Sequence, residues 1–148
     1  MRGTSVVFLL TIAFCFESSS VNASVPAEAS CRVHNQQAGF SNVGSGTLID
    51  RTADNSAGLV LTCWHLFREG TGQITVQFAK GRTHGARVVA LDERADLAAL
   101  VIANPPVGPV ALASETDRQA NLTACGFGQS GEYRCVSGNA VGKTRGPG

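Results

Sequence analysis

The chain has 148 residues, 43% of them hydrophobic and 16% charged, and 12 Lys and Arg against 11 Asp and Glu leave a net charge of +1. That length suits one folded unit with a real core. Because acidic and basic residues are interspersed, there is no basic stripe for nucleic acid and no polycationic patch for a membrane surface, which excludes partners of those two kinds.

The first residues read as an export signal: Arg2, an apolar run from Val6 to Phe16, then Ser18-Ser19-Ser20-Val21-Asn22-Ala23 with small residues suited to cleavage after Ala23, Ala29 being a second option. The run is too short to cross a bilayer as a helix, so residues 1–23 are expected to leave as a signal peptide and the remainder to have no membrane contact. The expected location is secreted or periplasmic. Residues 24–30, small, polar and interrupted by Pro26, suit a flexible tail, with the folded part beginning near Cys31.

Cys15 would leave with the leader, and Cys31, Cys63, Cys125 and Cys135 would remain. An even count in an exported chain points to disulfides. Three pairings are open, and Cys31–Cys63 with Cys125–Cys135 closes the most local loops. No pair has Cys-x-x-Cys spacing and His34, His65 and His84 are scattered, so neither a metal site nor any other cofactor is expected.

Short apolar segments separated by turn residues then follow: Gly46 to Ile49, Gly58 to Thr62, Gln73 to Phe78, Ala86 to Leu91, Leu97 to Ile102, Val110 to Ala113 and Asn121 to Cys125. Their spacing predicts an all-β barrel or sandwich. In Gln73-Ile74-Thr75-Val76-Gln77-Phe78 the period is two, which puts Ile74, Val76 and Phe78 on one face. Asn104-Pro105-Pro106 stops the strand that precedes it, and only Cys63 to Phe67 suits a helical turn. Asp50, Asp54 and Asp92 suit turns through local hydrogen bonds, whereas His34 and His84 are expected at the surface or in loops.

Three segments carry chemistry. Gly44-Ser45-Gly46-Thr47-Leu48-Ile49, Leu59-Val60-Leu61-Thr62-Cys63-Trp64-His65 and Ala95-Asp96-Leu97-Ala98-Ala99-Leu100 arrive in an order that resembles trypsin-like serine peptidases, in particular the short bacterial, HtrA-like branch. The resemblance covers about Cys31 to Gly142. It implies the first β-barrel of a double barrel plus the opening hairpin of the second, and an incomplete peptidase domain over 31–142; the remaining Lys-Thr-Arg-Gly-Pro-Gly over 143–148 reads as a disordered end. His65 would be the general base and Asp96 the carboxylate that orients it. The partner implied is a polypeptide substrate or peptide ligand; oligomeric state is left open. Cys63-Trp64 departs from the small or Asn-Trp pair of many relatives, and a reactive thiol at Cys63 would need its own place in the cleft.

The nucleophile is the missing part. In the resembled family it lies in a Gly-Asp-Ser-Gly-Gly-Pro-like turn of the second barrel, where glycines let the backbone approach the substrate oxygen. Gly128-Gln129-Ser130-Gly131 and Val136-Ser137-Gly138-Asn139 are only local look-alikes. Ser130 follows Asp96 by 34 residues, too few to build the second barrel first, and Gly126-Phe127-Gly128 resembles that barrel's opening segment. The expectation is a truncated serine endopeptidase relative, inactive alone; the alternative is a non-catalytic, peptide-binding pseudoprotease.

Overall fold

The computed structural model describes residues 27–79, 82–114, 121–128 and 130–139. Eight strands appear among the described residues: β1 (Ser30–Gln37), β2 (Phe40–Arg51), β3 (Ala57–Thr62), β4 (Gln73–Phe78), β5 (Thr83–Asp92), β6 (Leu97–Ala103), β7 (Asn121–Phe127) and β8 (Tyr133–Asn139). The first six close an antiparallel barrel in the order β1-β2-β3-β6-β5-β4, and β7 and β8 form a separate hairpin. The all-β expectation, one barrel plus an opening hairpin, therefore holds.

Inward positions alternate along each strand and meet at the barrel axis, where Val33, Leu48, Val60, Val76, Leu100 and Ile102 are at most 2% exposed. Gly46 is required by this packing, because a Cβ there would lie 2.9 Å from both Val33 and Val60. Register breaks between Leu48 and Asp50 in β2, and between Val88 and Ala90 in β5, add the bends that let long strands curl to closure.

Four sequence expectations are corrected. Residues 27–30, expected to end a flexible tail, form a 3-10 turn at Ala27–Ala29 and the start of β1, with Ala29 and Ser30 buried. Val110 to Ala113 is no strand: it follows Pro105, Pro106 and Pro109, which cannot donate to a ladder leading into it, and among the described residues its backbone makes one hydrogen bond to the barrel, from Val110 N–H to Leu48 O at 3.0 Å. His34 and His84 lie on β1 and β5, partly buried; the His84 ring packs edge-on against Phe78, and its Nδ1 donates to Ala103 O at 3.2 Å.

The cysteines pair differently from the fourth expectation. Cys125 and Cys135 stand opposite each other in β7 and β8 and are bonded, but Cys31 and Cys63 are free. Cys31 shares the inward row of Gly46 and Thr62, whereas extended backbone at Cys63 turns the next side chain out of that row. Burial pushes the Cys31 thiol up to about 12. The leader and the stretch from 143 to 148 lie outside the described residues.

The hairpin is seated on the barrel by specific contacts. Phe127 N–H donates to Ser45 Oγ at 2.8 Å, and Ser30 Oγ lies 3.5 Å from Tyr133 Oη. A Cβ at Gly126 would lie 2.8 Å from Ser45 Oγ, so glycine allows this close approach.

Candidate active site

Strand β3 ends at Thr62, whose hydroxyl donates to Ser45 O at 2.8 Å. The chain then passes through Cys63 into a 3-10 turn, Trp64–Phe67. Leu66 and Phe67 point inward, each 4% exposed, and leave His65 on the outer side. This turn is anchored from below by Asn35, fully buried on the inward row of β1. Its amide donates to Leu66 O at 2.8 Å and Gly70 O at 2.9 Å, and its carbonyl oxygen accepts Gly72 N–H at 2.8 Å. Asn42 adds a second donor to Leu66 O at 3.1 Å.

Asp96 comes from the opposite direction, at the end of the tight turn joining β5 to β6. Asp92 Oδ1 accepts the N–H of Ala95 at 2.9 Å, and Asp96 N–H donates to Glu93 O. The backbone of Asp96 has φ +53°, a left-handed conformation that Asp tolerates better than most residues.

The two sites meet. His65 Nδ1 lies 2.9 Å from Asp96 Oδ2 and 3.1 Å from Oδ1, and the His65 backbone N–H donates to Oδ1 at 2.9 Å. A carboxylate accepts only, so the ring carries its proton on Nδ1 and leaves Nε2 with a free lone pair. Backbone and ring together grip one carboxylate, which fixes the side chain in angle as well as distance. Among the described residues, no hydroxyl bonds to the His65 ring. Ser130 sits at the exposed tip between β7 and β8, and Ser137 lies on β8 with its hydroxyl 3.0 Å from Thr123 Oγ1.

The hydrogen bond from the His65 ring, and next the one from its backbone, hold the Asp96 carboxyl below its ordinary value of 3.8. The folded state therefore binds that proton more weakly than the unfolded chain. The linked stability is complete above pH 3.8 and is lost as pH falls through the lower folded value. Carbon-detected NMR of Asp96 should show a midpoint below 3.8; a midpoint at or above it would contradict the two hydrogen bonds.

Sequence reasoning missed Asn35 and the environment of Cys63. A polar residue on the same parity as Cys31 and Val33 was the available signal for Asn35. For Cys63 the relevant neighbour is Asp96: burial and then the Asp96 charge push its thiol up. Cys63, His65 and Asp96 place one potential ligand atom each within 4.8 Å of one another, a convergence that scattered positions had concealed.

The family description "Trypsin-like peptidase domain" matches residues 44–147, more than two thirds of the chain. The chain belongs to the trypsin-like peptidase family. That match runs past Gly142 and includes most of the segment expected to be a disordered end. No curated protein matches the sequence. Among solved structures, this peptidase-family chain is similar to a serine endoprotease from Yersinia pestis, with 24% identity and a TM-score of 0.65 over 76% of this chain and 40% of that one. It is also similar to the active form of a protease from M. tuberculosis, with 20% identity and a TM-score of 0.65 over 93% and 59%. The HtrA-type protease AlgW with a tripeptide gives 24% and 0.67 over 80% and 38%. At these identities the likeness is one of fold, and the chain spans 40%, 59% and 38% of those three proteins.

Proposed function

We propose that this chain carries the proton-handling half of an exported trypsin-like serine endopeptidase, with His65 as general base and Asp96 as the residue that orients it. The carrying observation is the 2.9 Å contact between His65 Nδ1 and Asp96 Oδ2, which leaves Nε2 able to accept a proton. In the proposed reaction Nε2 takes the proton of a serine hydroxyl as its oxygen attacks a peptide carbonyl. The imidazolium is stabilised by Asp96 and returns that proton to the leaving amine, forming an acyl-enzyme that water hydrolyses by the same steps.

The attacking serine is not among residues 1–148 in this reading. Ser130 belongs to the hairpin that opens a second barrel in this reading, and follows Asp96 by only 34 residues, too few to build that barrel before the nucleophile turn. Residues 1–148 alone would then hydrolyse no peptide. Export rests on the sequence of residues 1–23, with the Cys125–Cys135 bond in keeping with an oxidising compartment. The partner is a polypeptide.

The test is incubation of the purified protein with a serine-directed fluorophosphonate. No stoichiometric labelling is expected; labelling at Ser130 would refute the assignment of the nucleophile to residues beyond these.

A further inference from the structure

Cys63, His65 and Asp96 offer three different donor types around one point: a thiol sulfur, an imidazole nitrogen and a carboxylate oxygen, all within 4.8 Å of one another. Thiolate, imidazole and carboxylate are the ligand types that a borderline-soft divalent cation such as zinc accepts in tetrahedral sites. With zinc-to-ligand distances of about 2.0–2.3 Å, tetrahedral donors stand roughly 3.3–3.8 Å apart. The Nδ1–Oδ2 contact of 2.9 Å would open slightly, while a separation at the 4.8 Å limit would close by about 1 Å on binding.

The surroundings also suit a cation. The His65 backbone N–H donating to Asp96 Oδ1 at 2.9 Å is an outer-shell bond of the kind that fixes a ligating carboxylate. The His65 and Asp96 side chains are 51% and 49% exposed, so an entry path and room for a fourth, water ligand exist. Cys63 is not in a disulfide, and its thiol proton would leave to solvent on binding.

We propose that Cys63 Sγ, His65 Nδ1 and Asp96 form a zinc-binding site, and that occupation of it switches the histidine off as a base. A cation on Nδ1 forces the ring proton onto Nε2, which then has no lone pair to accept a serine proton. The switching half rests on the proposed catalytic role of His65. The binding half does not.

Anaerobic titration of the purified protein with cobalt(II) chloride, followed by zinc chloride, tests both halves. One equivalent of cobalt should give a thiolate-to-metal charge-transfer band that zinc abolishes by displacement. Cys63→Ser should remove the band and His65→Ala should weaken binding at least tenfold, while Cys31→Ser leaves it unchanged and circular dichroism shows all variants folded. Absence of the band, or its survival in Cys63→Ser, overturns the site. Nitrogen-15 spectra should move the His65 proton from Nδ1 to Nε2 on adding zinc; a ring that keeps its Nδ1 proton while zinc is bound overturns the switch. A failure here leaves the fluorophosphonate result unaffected, so the two readings fail separately.

Discussion

Replacing Asn35 with alanine is expected to destabilise the barrel by about 3 kcal/mol, one of the largest effects of any single change in the chain. The substitution removes three hydrogen bonds at a fully buried position. Two of the lost partners have replacements: Asn42 still reaches Leu66 O, and Gln37 Nε2 still reaches Gly70 O at 2.7 Å. Gly72 N–H has none among the described residues, so the cost is one orphaned donor plus the void left by the amide. Asn35→Asp should also destabilise at neutral pH, because a carboxylate keeps the acceptor for Gly72 but faces two carbonyl oxygens without a proton to donate. Urea unfolding measures both variants, and a loss below about 1 kcal/mol for alanine would contradict the role of Asn35 as the anchor of the loop after His65.

Leu66→Ala is expected to cost about 3 kcal/mol, and to act on the site as well as on the fold. Leu66 is 4% exposed and packs so closely under β2 that a Cβ on Gly44 would lie 2.8 Å from its Cδ1. Because it follows His65 directly in a turn of only four residues, emptying its pocket should loosen the backbone that donates to Asp96 Oδ1. Thermal unfolding reads the first effect. Hydrogen exchange reads the second, as faster exchange of the His65 amide with little change in β5 and β6; unchanged exchange there would mean that the turn is held by Asn35 and Asn42 alone.

These two residues also mark the limit of what the sequence made legible. His65, Asp96 and the order of the three segments could be read because each lies next to an apolar strand with local signals, such as the period-two pattern of β4 or the turn chemistry of Asp92. β1 could not. Ser30-Cys31-Arg32-Val33-His34-Asn35-Gln36-Gln37 has few apolar residues and becomes a strand because β2 and β4 pair with it on both sides. Val110 to Ala113 failed in the opposite sense, being apolar but entered through Pro105, Pro106 and Pro109, which cannot extend a ladder into it. Asn35 touches residues 31 to 37 positions away, and Cys63 meets Asp96 through the pairing of β3 with β6, where Thr62 stands opposite Ala98, so neither relation leaves a local trace.

In the proposed mechanism Asp96 holds His65 as the Nδ1-protonated tautomer, with Nε2 free to act as a base. Long-range proton–nitrogen NMR of the protein near neutral pH, compared with Asp96→Asn, tests this most directly. The native protein is expected to show a pyrrole-type Nδ1 and a pyridine-type Nε2 for His65, with that preference lost in Asp96→Asn, whose amide can donate to the ring. A native His65 protonated on Nε2, or a tautomer that Asp96→Asn leaves unchanged, would contradict it.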